Sequence, residues 1–306
     1  MLKKILYISL IVGGTAFLNG CAGNSSGKSG NSSDELISAD SLSTDAPLKL
    51  SEEVISDVVQ NISSPVEMAS LIKSTGVAFS RKILNDPDNL EKYNTSFKRA
   101  LNLGVFAADL GYINTFDKNS IVISYLLAVK NLAEGIKVGQ FFDFSALKRL
   151  ATNSNNLDSL MEISVSSFNK MDSYLREQNR SNVSTLIVAG TWIEGMYITG
   201  SVIGETNNQD LIDRLGEQKD IVNILLIILE NYKNDPNFTE LSAYLQDLKG
   251  LYSKVKITTE FSEPKRMEVD GSLIIVQDEI SHVEISPEQV TAIIDQIKKI
   301  REFIVS

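Results

Sequence analysis

The chain has 306 residues and carries 29 basic against 39 acidic side chains, for a formal net charge of −10. A chain this acidic, without a basic stripe, lacks the charge that binds nucleic acid through its phosphates, so we expect no nucleic-acid partner. One histidine (His282) and one cysteine (Cys21) are too few for zinc, di-iron or haem c sites, and we expect no metal and no other cofactor.

A short apolar stretch follows two lysines at the start of the chain. Lys3 and Lys4 precede ILYISLIVGGTAFL, which ends at Leu18. As a helix this stretch would rise about 21 Å, which is short for a hydrocarbon core about 30 Å thick. A basic start, a short apolar core and small residues at its end are typical of a secretory signal. Residues 1–20 are therefore predicted to be a signal peptide.

The apolar stretch closes on LNGC, Leu18 to Cys21. This arrangement resembles the lipobox of bacterial lipoproteins, which signal peptidase II cleaves before the cysteine. The resemblance implies that Cys21 becomes the first residue and carries fatty acyl chains such as palmitate. Removing residues 1–20 takes away Lys3 and Lys4 and no acid, so the net charge changes from −10 to −12. The alternative is an ordinary signal peptide followed by an unrelated cysteine.

Residues 21–46 are rich in Ser, Gly and Asn and have no hydrophobic period. Such a composition buries no core, and we predict a flexible tether between the lipid and the rest of the chain. In well-studied lipoproteins, aspartate directly after the cysteine favours the inner membrane, whereas this chain has Ala22. We therefore expect a lipid-anchored protein of the outer membrane that faces the periplasm.

Helical patterns dominate residues 47–306, which we predict to be the helical domain. Ser-Pro or Asp-Pro pairs mark three helix starts, at Ser64, Asp235 and Ser286, and two of them carry capping boxes. A shorter helix is expected at FSALKRLAT, and residues 221–229, apolar on all sides, are expected to be the most buried helix. The remaining periodic segments lie near 89–115, 118–138, 155–179, 181–205 and 216–233.

One region departs from the helical pattern. The stretches VKITTEF and RMEVDGSLIIVQDE are rich in β-branched residues, and Asp270-Gly271 is a signal for a tight turn. We predict a small β-hairpin or three-stranded flap near residues 255–285. The fold class is therefore predicted as all-α, a multi-helix bundle with a minor β insertion.

Two acids stand on helices that are otherwise apolar. Glu194 lies in GTWIEGMYITG and Asp109 in FAADLGY, and each is followed three residues later by a tyrosine, Tyr197 or Tyr112. Residues three or four apart share a helix face, so each acid lies beside its tyrosine. With Trp192, these four residues form the candidate ligand pocket of this sequence.

Three interpretations of the pocket remain open. The acids could bind a cation, a sugar or a peptide amine between aromatic rings, or act as the paired carboxylates of glycoside hydrolysis. The favoured interpretation is structural: a tyrosine hydroxyl or a basic side chain such as Lys130 satisfies each acid, with Tyr197 or Tyr112 as the expected donor to Glu194. A membrane span over 186–204 is disfavoured because Glu194 interrupts it.

The stretches SPVEMASLIKSTG, ALNLGVFAADLGY and GTWIEGMYI, with the closing DQIKKIREFIV, resemble a family of helical envelope lipoproteins. The resemblance implies the fold and the location in the cell envelope, but it assigns no functional site. Three functions are compatible with it: a non-enzymatic lipoprotein that binds a protein partner or small ligand, an envelope-polymer hydrolase that uses Asp109 and Glu194, and a structural subunit of an outer-membrane assembly. We expect the first.

Overall fold

The computed structural model describes residues 65–151, 157–261, 265–269, 272–276 and 279–306. These residues form α-helices joined by turns and short 3-10 segments, with one small β region near the end, so the predicted all-α class with a minor β insertion is confirmed. The described helices are Pro65–Ser74 (α1), Ser96–Thr115 (α2), Asn119–Gly135 (α3), Phe144–Ala151 (α4), Leu157–Glu177 (α5), Ser181–Thr206 (α6), Gln209–Gly216 (α7), Lys219–Glu230 (α8), Pro236–Tyr252 (α9) and Pro287–Val305 (α10).

The predicted start signals hold where the structure describes them. The Ser286 side chain accepts a hydrogen bond from the Gln289 N–H while the Gln289 side chain accepts from the Ser286 N–H, the reciprocal pair of a capping box. The Asp235 side chain accepts from the Asn237 N–H at the start of α9. The predicted signal peptide, the tether and the Ser64 cap lie outside the described residues.

Two predicted helix boundaries are wrong. The segment 89–115 begins as a helix only at Ser96, because the Thr95 side chain caps that start by accepting from the Lys98 N–H. Residues Pro87–Lys92 before it form a separate 3-10 turn. The start of the segment 216–233 is also wrong, because α7 ends at Gly216 and α8 begins at Lys219.

The core is built around α2 and α6. Fourteen of the 20 residues of α2 and 17 of the 26 residues of α6 are buried, against five of the 12 residues of α8. The prediction that residues 221–229 form the most buried helix is therefore wrong. One side of α8 remains partly exposed, whereas α6 has neighbours on most of its surface.

Two glycines let the backbones of α2 and α6 touch. A Cβ atom added to Gly190 would overlap the carbonyl oxygen of Leu101, and one added to Gly104 would lie 2.6 Å from the backbone nitrogen of Thr191. The Thr191 hydroxyl donates a hydrogen bond across the crossing to the Gly104 carbonyl at 3.2 Å. No larger residue fits at either position without separating the helices.

Helix α6 is long and apolar enough to cross a membrane, and it is the one such helix among the described residues. Of its most apolar 18-residue window, 83% is buried inside the protein. Its apolar surface is thus covered by neighbouring helices, as in the core helix of a globular domain.

The chain divides into two compact units. The larger comprises the helices, within Leu48–Thr258 and His282–Ser306, and the described part of the smaller lies within Thr259–Ser281. Four strands are described, Lys256–Phe261 (β1), Lys265–Val269 (β2), Ser272–Val276 (β3) and Glu279–Glu284 (β4).

The strands form two pairs: β1 with β4, and β2 with β3. The second pair is an antiparallel hairpin whose register runs from Lys265 opposite Val276 to Val269 opposite Ser272. The predicted hairpin is therefore present, within two strand pairs instead of a three-stranded flap. The predicted turn residues, 270 and 271, lie outside the described residues.

Candidate functional site

Glu194, in the middle of α6, forms a buried ion pair with Arg301 of α10. The Arg301 Nε donates to Glu194 Oε2 at 3.1 Å, and Nη2 donates to Oε1 at 3.2 Å. This two-bond arrangement matches the planar guanidinium to the carboxylate. The Glu194 side chain is 0% exposed and that of Arg301 is 13% exposed. The charge of Glu194 is therefore neutralised inside the protein.

Asp109 of α2 places a second carboxyl against Glu194. It is fully buried, and its Oδ2 accepts a hydrogen bond from the Asn85 N–H at 3.1 Å. Its Oδ1 accepts no hydrogen bond from the described residues. The charge of Glu194 and a side-chain hydrogen bond between the two carboxyls both raise the pKa of Asp109. Two carboxyl groups can form such a bond only when one of them carries a proton, because carboxylates are acceptors alone.

A hydrogen-bond network runs from the Asn85 side chain to the last turn of α10. The Asn85 Nδ2 donates to the Tyr93 hydroxyl at 2.9 Å and to the Asn102 Oδ1 at 3.4 Å. The Tyr93 hydroxyl donates to the Val305 carbonyl at 3.4 Å, and the Asn102 Nδ2 donates to the Ile304 carbonyl at 2.9 Å. We call these five residues the Asn85 network. They satisfy helix-end carbonyls that have no partner within the helix.

Burial raises the pKa of both carboxyls. At Asp109 desolvation is the largest cause and the charge of Glu194 adds to it, while Arg301 opposes it, so the pKa of Asp109 lies well above its usual range. At Glu194 desolvation also raises the pKa, but the charge and hydrogen bonds of Arg301 oppose it. One guanidinium faces two carboxyls, and the cluster is neutral when Asp109 is protonated and Glu194 is ionised.

Three of the five candidate pocket residues come together in this cluster. Asp109 and Glu194 face each other, and Tyr197 places its ring 4.6 Å from the guanidinium carbon of Arg301, within cation–π distance. The hydrogen bonds to Glu194 come from Arg301, not from Tyr197 or Tyr112. The expectation of a basic partner is thus confirmed, and the expectation of a tyrosine donor is wrong.

The other two candidates are buried elsewhere. The Tyr112 hydroxyl accepts a hydrogen bond from the Ser80 N–H at 3.2 Å, and its ring stacks on Phe79 with centroids 5.3 Å apart. The Trp192 Nε1 donates to the Gln218 Oε1 at 2.9 Å. Each polar atom is satisfied by a neighbour within the fold, so both side chains act as core residues.

Lys130, suggested by the sequence as a partner of the buried acids, is at the surface. Its side chain is 46% exposed and lies 3.8 Å from Glu134 one helical turn further along α3. The hydrogen bonds to the buried acids therefore come from Arg301 and from the Asn85 backbone, neither of which was predicted.

The position of Arg301 in the sequence indicates that its side chain is buried. It follows Ile297 by four residues and precedes Ile304 by three, so it lies on the same face of α10 as two buried isoleucines. A basic residue on an apolar stripe indicates a buried cation in need of an anion. Asn85 has no such signal, because it binds Asp109 through its backbone.

The cluster is buried, and this limits the chemistry that it can perform. A retaining glycosidase needs two carboxyls about 5 Å apart that reach the sugar from either side, as Asp109 and Glu194 would have to do here. Both are 0% exposed. Among the described residues, no group of three or more His, Cys, Asp or Glu side chains is placed to hold a metal ion. The arrangement is that of a buried structural network.

No protein-family model matches the chain, and no curated protein or solved structure is significantly similar to it.

Proposed function

We propose that this protein is a non-enzymatic lipoprotein, anchored in the outer membrane through Cys21 and facing the periplasm. Its helical domain binds a protein partner or a small ligand. The stretch LNGC at 18–21 supports the anchor. The observation that carries the non-enzymatic part is the burial of the Asp109–Glu194–Arg301 cluster. The hydrogen bonds of the cluster are made within the protein, and neither carboxyl has exposed surface that could contact a polymer substrate.

The surface supports a partner that is bound by polar contacts. Leu127, at 59%, and Val165, at 53%, are the exposed large hydrophobic side chains among the residues whose exposure is described. The chain also has a net charge of −10. Charge complementarity, more than a broad apolar groove, would then select the partner and speed its association.

Cys21→Ser is expected to abolish incorporation of labelled palmitate into the protein, because serine provides no thiol for the thioether to a diacylglycerol. Cells that express the full chain would be grown with the labelled fatty acid, and the purified protein would be analysed on a gel and by mass spectrometry. The wild-type protein should carry two or more acyl chains, since one chain alone anchors only weakly.

Ser26→Ala, five residues further on, is the matched control and should be labelled as strongly as the wild type. Equal labelling of Cys21→Ser and wild type would refute the anchor. A wild-type chain that takes up no label would refute it as well.

A further inference from the structure

Two separate routes connect Asp109 to the last turn of α10. By the first, the Asp109 carboxyl faces Glu194, which holds Arg301 through two hydrogen bonds. By the second, Asp109 Oδ2 accepts from the Asn85 N–H, and the Asn85 network continues to the carbonyls of Ile304 and Val305. A change at one carboxyl therefore acts on both the side chain and the backbone of the same helical turn.

The unsatisfied atom of the cluster is Oδ1 of Asp109. It is buried, accepts no hydrogen bond from the described residues, and belongs to a carboxyl that faces a second carboxyl. A proton on Asp109 resolves the conflict, because the carboxyl then donates a hydrogen bond to Glu194 in place of an uncompensated buried charge. Oδ2 keeps its bond from Asn85.

We propose that the Asp109 carboxyl is protonated, that it donates a hydrogen bond to Glu194, and that this bond holds the last turn of α10 against α2 and α6. When Asp109 loses the proton, a second negative charge enters a buried site that contains a single guanidinium. The two carboxylates then compete for Arg301. The end of α10 is released first, because both routes end there.

The groups around Asp109 do not replace the proton. The titratable or charged side chains that act on it are Glu194 of α6, Arg301 of α10, Tyr93 before α2, and Tyr125 of α3. Burial raises the pKa of Tyr93 and of Tyr125, so both tyrosines remain neutral at moderate pH. Among the described residues, Arg301 supplies the positive charge that acts on Asp109, and it is already bound to Glu194.

The direction of the pH effect follows from the raised pKa of Asp109. Between the usual aspartate pKa, about 3.9 in an unfolded chain, and the higher pKa in the fold, the folded protein binds one more proton than the unfolded protein. The stabilisation from this proton is therefore complete below the unfolded pKa and is lost as the pH rises through the folded pKa.

Asp109→Asn separates this proton from all other titrations. The asparagine amide can donate to Glu194 and accept from the Asn85 N–H, as the protonated acid does, but it does not titrate. Urea unfolding of the full chain would be measured from pH 5 to pH 9 for both proteins. We expect the unfolding constant of the wild type, divided by that of Asp109→Asn, to rise with pH by up to tenfold per unit.

Hydrogen exchange of residues 301–306 gives the local readout at each pH. Protection there should fall with rising pH in the wild type relative to Asp109→Asn. A ratio of unfolding constants that stays constant over this range would overturn the proposal. Protection that falls equally in both proteins would overturn it too.

Infrared spectra of the wild-type protein test the proton itself, even if Asp109→Asn fails to fold. Aspartate labelled with carbon-13 would be incorporated into the chain. We expect a protonated carboxylic-acid band that shifts with the label and persists to a higher pH than the bands of exposed aspartates, whose usual pKa is about 3.9. Loss of every labelled band together with those of the exposed aspartates would show that Asp109 holds no extra proton and would overturn the proposal.

Discussion

Glu194→Ala is expected to lower the free energy of unfolding by about 3–5 kcal/mol. The substitution leaves the guanidinium of Arg301, on a side chain only 13% exposed, without the carboxylate that it binds through two hydrogen bonds. Asp109 can ionise in response, but it is also held by the Asn85 N–H and compensates only in part. Urea unfolding at pH 7 would measure the change.

Glu134→Ala is the matched control, because Glu134 is an ion-paired glutamate at the surface. Its side chain is 60% exposed and lies 3.8 Å from Lys130. Such pairs contribute little, and we expect a change of at most about 0.5 kcal/mol. If Glu194→Ala is no less stable than this control, the buried ion pair does not hold the fold together.

Gly190→Ala is expected to lower the free energy of unfolding by about 3 kcal/mol, at the upper end of overpacking effects. The added methyl group would overlap the carbonyl oxygen of Leu101 and lie 2.8 Å from its carbonyl carbon. These atoms are backbone and have no rotamer by which to move away, so α2 and α6 would have to separate. Gly104→Ala should act similarly through the backbone of Thr191.

Two other glycines of α6 provide the controls for this prediction. A Cβ atom at Gly195 or Gly204 would have no heavy atom within 4 Å beyond its own helix. Alanine at either position should be neutral or stabilising by up to about 1 kcal/mol, because alanine favours the helix. Similar thermal midpoints for Gly190→Ala and Gly195→Ala would contradict the close crossing of the two helices.

Local signals predicted the fold well. The caps at Asp235 and Ser286 act between residues two or three apart, so the sequence alone indicates where α9 and α10 begin. The wrong start of α2 has a local cause as well: Thr95 is a helix cap inside a stretch whose hydrophobic period continues back to residue 89. Periodicity alone does not reveal such a cap.

Burial was harder to predict than helix position. Eight of the nine residues 221–229 are apolar, yet α6 is the helix with neighbours on most sides. Its glycines explain this difference, since Gly190 allows α2 to approach to backbone contact. The number of neighbours around a helix depends on such tertiary contacts, which hydrophobicity does not encode.

The sequence located the buried acids but not their partner. Glu194 stands out because its neighbours along α6 are apolar, and Asp109 stands out for the same reason on α2. Arg301 is 107 residues away from Glu194 along the chain, and the pairing depends on how α10 packs against α6. Only its place on the apolar face of α10 could have indicated it.

A double-mutant cycle on Glu194 and Arg301 tests most directly whether the buried acid is a structural residue. Glu194→Ala, Arg301→Ala and the double variant would be compared with the wild type by urea unfolding. Each single substitution leaves a buried charge without its partner, and the second substitution removes that charge. We therefore expect the double variant to be more stable than the sum of the single effects, by about 2–3 kcal/mol. Additivity within about 0.5 kcal/mol would show that the two side chains do not depend on each other and would contradict the structural role of Glu194.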